Sequence, residues 1–198
     1  MKLPSILLAI TLPAILQAED DQLEPIFNGK NLDNWKTDDA LVASHWLVSD
    51  SQIIGDNRDK KGSVLWTKSD YKDYELTVDY QTDSIDYDSG VFVRGPSHQI
   101  QIGVSRSLKI DLTGCIYCPK DLQGKYPNQS KKVSSAHKLG EWNHLKIRVV
   151  GHRIETHLNG ELINDYMSVT MPKEGPIGLQ VHAGLHQKIH FKNFDLQP

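Results

Sequence analysis

Six polar residues fall within eighteen positions of one another: Arg94, His98, Gln99, Gln101, Lys109 and Asp111. Their types suffice for proton transfer on a polar small molecule, with an imidazole or carboxylate to take a proton, cations to hold a developing oxyanion and amides to bind hydroxyl groups. They lie on and around two successive strand-like runs, so the competing expectation is an ordinary solvent-facing sheet surface. Ordinary glycoside hydrolysis needs two carboxylates about 5–9.5 Å apart, and no strand of the form Glu-x-Asp-x-Glu occurs. A Gly-x-Ser-x-Gly elbow, a phosphate-binding loop and a dinucleotide fingerprint are also missing from the sequence, which removes support for serine nucleophiles and nucleotide chemistry.

The two cysteines form one Cys-x-x-Cys in Gly114-Cys115-Ile116-Tyr117-Cys118-Pro119. Two thiols do not complete a four-ligand zinc site and no βαβ pattern surrounds them, so the expectation is a Cys115–Cys118 disulfide, with no metal assigned. Residues three apart on a straight strand point to opposite faces, so such a bridge requires a turn at Ile116-Tyr117. The acidic run Asp83-Ser84-Ile85-Asp86-Tyr87-Asp88 offers clustered carboxylates to a calcium ion, but it lacks EF-hand spacing and reads more readily as a solvated loop. Trp35, Trp46, Trp66 and Trp142 could stack on sugar rings, although core positions are expected for at least two of them. Nine histidines are scattered along the chain, and His182 and His190 could meet across a hairpin.

The elements that must position these groups are strands. Tyr74, Leu76, Val78 and Tyr80 alternate with Glu75, Thr77 and Asp79, the period of a half-buried antiparallel strand. The same alternation recurs at Val91–Val93, Ile100–Ile102, Leu145–Val149, Ile177–Val181 and Ile189–Phe194. Gly151-His152 and Asn159-Gly160 divide Trp142–Asp165 into a three-stranded meander, the second pair being a hairpin turn that demands positive φ. Pro119–His137 carries no alternation and is expected to form a long surface loop. No stretch has helical periodicity. About ten short strands in some 180 residues predict an all-β fold, an antiparallel two-sheet jelly-roll sandwich, with a lipocalin-type barrel as the alternative.

Composition agrees with a single globular domain: 198 residues, 38% hydrophobic and 24% charged. Twenty-two basic against 25 acidic residues leave a net charge of -3, which gives no reason to expect nucleic acid as a partner. Residues 1–18 have the form of a signal peptide, with Lys2 ahead of an apolar stretch from Leu3 to Leu16 and a cut expected after Ala18. The stretch is shorter than the ~20 residues of a membrane span and contains Pro4 and Pro13. The expected product is an exported protein, periplasmic or secreted, with residues 19–198 as one domain and no membrane association once the leader is removed.

Several further segments fall in a characteristic order. They are Phe27-Asn28-Gly29-Lys30-Asn31-Leu32-Asp33-Asn34-Trp35, Ser89-Gly90-Val91-Phe92-Val93-Arg94, Gly114-Cys115-Ile116-Tyr117, Glu141-Trp142-Asn143, Leu158-Asn159-Gly160 and Gly175–His182. With this order and spacing the chain resembles the 3-keto-disaccharide hydrolase domain family of bacteria, over Ile26 to Leu196. The resemblance implies a concanavalin A-like sandwich and an extracytoplasmic enzyme acting on 3-keto-glycosides. Many members carry Glu-x-Gln-x-x-Asp after the arginine. This chain reads Gln99-Ile100-Gln101-Ile102-Gly103-Val104 and lacks both acids.

The implied chemistry needs no carboxylate pair. A ketone at C3 acidifies the hydrogen on C2, so the C1 substituent can leave by elimination and water can add back. On this expectation His98 is the base, Lys109 and Arg94 stabilise the oxyanion, and Asp111 orients or replaces the base. Gln99, Gln101, Trp142 and His182 hold the sugar of an oligosaccharide or glycoside. No cofactor is required, and calcium stays open through the acidic loop. A non-catalytic carbohydrate-binding module of the same fold remains the alternative.

Overall fold

Along Tyr74–Thr82 every second side chain is buried, as the sequence alternation requires of a strand with one dry face. A computed structural model describes residues 25–198, so the leader expected at 1–18 lies outside the described residues. The strands are β1 (Trp35–Thr37), β2 (Trp46–Ser49), β3 (Gln52–Asp56), β4 (Ser63–Thr67), β5 (Tyr74–Thr82), β6 (Asp88–Phe92) and β7 (Gln99–Gly103). They continue with β8 (Ile116–Tyr117), β9 (Asn143–Val150), β10 (Arg153–Leu158), β11 (Glu161–Met167), β12 (Gly178–Val181) and β13 (Lys188–Gln197). They pair antiparallel into a six-stranded sheet, β1-β4-β12-β6-β7-β8, and a seven-stranded sheet, β11-β10-β9-β5-β13-β3-β2. This is the two-sheet sandwich, not the barrel.

The core lies between the sheets. Leu76, Val78, Tyr80, Leu145, Ile147, Ile189 and Phe191 face inward from one, and Leu65, Val91, Ile100, Ile102, Leu179 and Val181 from the other, all at most 2% exposed. Burying each large side chain contributes about 1.5–3 kcal/mol, which fixes the register, since a one-residue slip would turn the whole set toward water. Asn159 (φ 50°) and Gly160 (φ 87°) form the expected hairpin turn between β10 and β11. The expectation of no helix is corrected in two places. A 3-10 turn at Ala40–His45 is capped by Asp39, and α1 (Val133–Ala136) forms one turn inside the long loop.

The six-stranded sheet carries the polar outer face. Asp88, Gly90 and Phe92 on β6, Gln99 and Gln101 on β7, and Gly178 and Gln180 on β12 have the opposite parity to the inward residues of their strands. Two glycines let side chains lie flat across it. A Cβ at Gly90 would stand 2.4 Å from Gln99 Nε2, and one at Gly178 would stand 2.6 Å from the Trp66 ring and 2.8 Å from Val64 Cγ1. Trp66 is pinned by donation from Nε1 to Asp38 Oδ2 at 2.9 Å and packs against Phe92 at 5.3 Å between centroids. Gly178→Ala should therefore cost about 1–3 kcal/mol by overpacking, read in calorimetry as a Tm lower by roughly 2–10 °C.

Candidate functional site

A cavity of about 370 Å³ opens on this outer face. Its floor is Asp88, Gln99, Gln101 and Gln180, and its walls come from Phe92 and Pro96, from Arg106 and Ser107 after β7, from Tyr117, Pro119, Lys125 and Tyr126 around β8, and from His182 after β12. The floor is held by two hydrogen-bonded groups, one around Asp88 and one between Gln99 and Gln180. Gln101 Nε2 donates to Asp88 Oδ1 at 2.6 Å, the Arg106 N–H donates to Asp88 Oδ2 at 3.1 Å, and Gln99 Nε2 donates to Gln180 Oε1 at 2.7 Å. Asp88 is also fixed through its backbone, since its N–H donates to Gln187 Oε1 and its carbonyl accepts from Gln187 Nε2.

The walls supply charge and flat surface. The Arg106 guanidinium is paired with Asp86 and stands 3.7 Å from Asp88 through Nε, which makes no hydrogen bond. Tyr117 and Tyr126 pack at 5.1 Å, and Lys125 lies 5.6 Å from the Tyr117 ring centre. His182 Nδ1 lies 2.7 Å from the Ala183 carbonyl. A carbonyl only accepts, so Nδ1 carries the proton and the neutral ring keeps a lone pair on Nε2. Donation from Asn57 Nδ2 to the His182 carbonyl at 2.9 Å holds that segment in place.

Of the residues singled out from sequence, Gln99, Gln101 and His182 meet in this cavity. The other five do not. Arg94 would share the face of Asp88, Gly90 and Phe92 by alternation, but its backbone enters the left-handed region (φ 52°) and ends the strand. Its guanidinium is buried, donating to the Gly151 and Pro172 carbonyls and to Asp73 at 2.8 Å. His98 has the parity of Ile100 and Ile102 and points inward, fully buried, with Nε2 2.8 Å from Ser168 Oγ and Nδ1 2.9 Å from Ser97 Oγ. Burial pushes its pKa below 6.5, partly opposed by Asp121. Lys109 sits at an exposed, left-handed position (φ 60°) in the connection after β7.

Asp111 lines a separate cavity beside α1 and is bonded to His137 Nδ1 at 2.6 Å and to Thr113 Oγ1 at 2.6 Å. Burial would raise its carboxyl, but the bonds from His137 and Thr113 outweigh that and hold it below the ordinary carboxylate range. Trp142 lies on the outer face of the other sheet, with Lys192 Nζ 3.7 Å over its ring. The expectation that Arg94, His98, Lys109, Asp111 and Trp142 converge with Gln99, Gln101 and His182 on one pocket is therefore corrected.

Two further expectations change. Ile116-Tyr117 is strand, paired with β7, where a disulfide needed a turn, and Cys115 and Cys118 are buried free thiols. Burial pushes the Cys118 thiol up to about 11. The acidic run does not converge on a cation site: Asp83 pairs with Lys188 and His190, Asp86 with Arg106, and Asp88 with Gln101. Sequence reasoning missed Asp88 and Gln180, both legible by extending the alternation of their strands. Arg106, Lys125 and Tyr126 come from loops and carried no sequence signal.

The family model for the 3-keto-alpha-glucoside-1,2-lyase-like domain matches residues 22–197. The chain belongs to this family. No curated protein sequence matches it. Among solved structures it is similar to a candidate glycosyl hydrolase from Parabacteroides distasonis, at 25% identity and a TM-score of 0.65, covering 88% of this chain and 98% of that one. It is also similar in fold to the carbohydrate-binding module CBM66 from Bacillus subtilis (15% identity, TM-score 0.54, 83% and 96% covered). A third likeness is the exoplasmic/lumenal domain of VIP36 in a form bound to Ca2+ and Man3GlcNAc (12%, 0.60, 87% and 86%). This family member therefore has the concanavalin A-like sandwich expected from its sequence. No helix among the described residues is long and apolar enough to cross a membrane.

Two outcomes separate the buried polar groups from the cavity. Arg94→Ala removes the donor to two carbonyls and the partner of Asp73, and should cost about 2–4 kcal/mol of stability, read by denaturant unfolding, with the residues that line the cavity left in place. Asp111 contributes stability above about pH 4 that is lost as pH falls through its depressed folded pKa. Asp111→Asn should lower neutral-pH stability by about 1–3 kcal/mol and flatten the acid limb of a pH–Tm profile.

Proposed function

We propose that this chain is an exported carbohydrate-active enzyme that cleaves the glycosidic bond of 3-keto-glycosides by elimination and hydration at C1–C2. The observation that supports this most directly is the composition of the cavity. The one carboxylate among its lining residues, Asp88, is already bonded to Gln101 and Arg106. An imidazole lone pair on His182 and the cations of Arg106 and Lys125 border the same space. Paired-carboxylate hydrolysis has no second acid there, whereas elimination needs one base and a positive environment for one oxygen. Family membership and the solved relatives support a glycoside as ligand.

In this reading His182 Nε2 takes the proton from C2, and the electrons of that C–H bond move toward C3, whose ketone oxygen becomes an enediolate oxyanion facing Arg106 and Lys125. The C3 carbonyl re-forms as the C1–O bond breaks, and the leaving oxygen takes the proton from the His182 imidazolium. Water adding at C1, with a proton returned to C2, completes hydrolysis, and release before that step gives the lyase product. Gln99, Gln101 and Gln180 hold the ring hydroxyls, and Tyr117 offers a flat face to the sugar.

Purified protein should release the leaving group from a 3-keto-glucoside and not from the parent glucoside. Equal turnover of both would overturn elimination. No turnover with measurable sugar affinity would establish a binding module in its place. His182→Ala should reduce turnover by about 10²–10⁴-fold with little change in affinity, whereas His98→Gln should act first on stability and lower turnover per folded molecule far less than His182→Ala does.

A further inference from the structure

Beneath the cavity, three donors of different chemistry meet in the protein interior. His98 precedes β7, Cys118 follows β8, and Asp121 lies three residues on. Nε2, Sγ and a carboxylate oxygen are all within 4.8 Å of one another, and all three residues are buried. The Cys118–Asp121 turn is closed by donation from the Asp121 N–H to the Cys118 carbonyl at 3.0 Å, which presents both side chains from one tight loop.

We propose that His98, Cys118 and Asp121 form a structural binding site for a borderline divalent cation of the zinc class. A nitrogen, a thiolate sulfur and a carboxylate oxygen are the donors that zinc accepts, and bond lengths of about 2.0–2.3 Å put tetrahedral ligands roughly 3.3–3.8 Å apart. His98 Nε2 and Asp121 Oδ2 are already 3.8 Å apart, and no donor pair has to close by more than about 1.5 Å to reach that spacing.

Three features fit a cation. Asp121 is 1% exposed at its side chain; the Leu122 N–H, Ser168 Oγ and Thr170 Oγ1 donate to it, but among the described residues no Lys or Arg pairs with its charge, and His98 is the one basic group within reach. A buried carboxylate is normally paired or metal-bound. The Tyr166 hydroxyl is buried beside Cys118 and Asp121 with no hydrogen bond of ordinary geometry, and is placed to face the fourth position. His98 Nδ1 is held by Ser97 Oγ, the outer bond that orients an imidazole for metal through its other nitrogen. Ser168 Oγ keeps the Thr170 and Met171 N–H groups and its own donation to Asp121 at 2.5 Å, and only the His98 Nε2 bond is redirected. The ion replaces the Cys118 thiol proton, which passes to solvent, while the neutral His98 ring carries its one proton on Nδ1, facing Ser97 Oγ, and offers the Nε2 lone pair.

The site is closed, as structural sites are, and it ties the start of β7 to the loop carrying Pro119, Lys125 and Tyr126, one wall of the sugar cavity. The test is cobalt titration of the thiol-reduced, metal-stripped full chain, with zinc as competitor. The expected result is one cobalt per chain with a thiolate-to-cobalt charge-transfer band, abolished by excess zinc, together with a Tm raised by zinc and lowered by chelator. Asp121→Asn, which removes the charge and keeps one acceptor oxygen, should weaken cobalt affinity by at least tenfold, and Cys118→Ser should remove the band. Absence of a stoichiometric band in the folded parent protein, or a Cys115–Cys118 disulfide in protein purified without reductant, would overturn the proposal. Neither outcome bears on turnover of 3-keto-glycosides, so this site and the proposed activity stand or fall separately.

Discussion

Taking a carboxylate out of water costs several kcal/mol unless its oxygens are bonded, and at Asp88, 4% exposed, the local structure is built to meet that demand. Gln187 claims both backbone groups, Gln101 one carboxylate oxygen and the Arg106 backbone the other. Each bond ties down a different segment: the start of β13, the middle of β7 and the connection that follows it. Gln187 is in turn fixed by Asn57, whose amide also holds the carbonyl of His182. The Asp88 half of the floor and the segments carrying Arg106 and His182 are thus parts of one network, and Gln101 stays oriented in the absence of ligand. Preorganisation of that kind spares a sugar site the cost of ordering several long side chains on binding.

The sheets were legible in the sequence because each strand has one dry face, and the two-residue period is then enforced by the hydrophobic effect alone. Tyr74–Tyr80 is the clearest case, and the Asn159-Gly160 turn follows from backbone sterics. Gln99 and Gln101 could be assigned to a wet face for the same reason. His98 and Arg94 could not be placed on type alone: a histidine reads as chemistry in a list of polar residues, yet its parity with Ile100 sends it into the core. At Arg94 a left-handed backbone position overrides alternation altogether. Half of the cavity was illegible for a different reason. Arg106, Lys125 and Tyr126 reach it from irregular connections whose paths depend on tertiary bonds, such as that between Ser105 Oγ and the Tyr126 hydroxyl at 2.9 Å, and no local pattern encodes those. Counting cysteines likewise set zinc aside, because His98 and Asp121 join Cys118 only in three dimensions.

The division of labour between the two sheets is uneven. The seven-stranded sheet gives its inner face to the core, and outside it carries charged pairs such as Arg153 with Asp165 and Arg148 with Glu155. Exposed pairs of this kind are worth little individually. The six-stranded sheet buries one face equally well and fills the other with amides, an aromatic strip and glycines, so that its outside is shaped by hydrogen bonding and close approach. The cavity is confined to the half of that sheet around β12, β6, β7 and β8.

The strand order also dictates when the protein can fold at all. β12 lies between β4 and β6, and β13 between β5 and β3, so the two strands latest in the sandwich's sequence are interior members, one of each sheet. Until roughly the final twenty residues are available, each layer is split into unjoined pieces with bare edges, and neither core can close. Closure of both depends on contacts between distant parts of the chain, which form slowly because the intervening segments must first be brought together. Compaction therefore waits for β12 and β13, and a chain in which either strand is held back stays divided into separately paired ribbons.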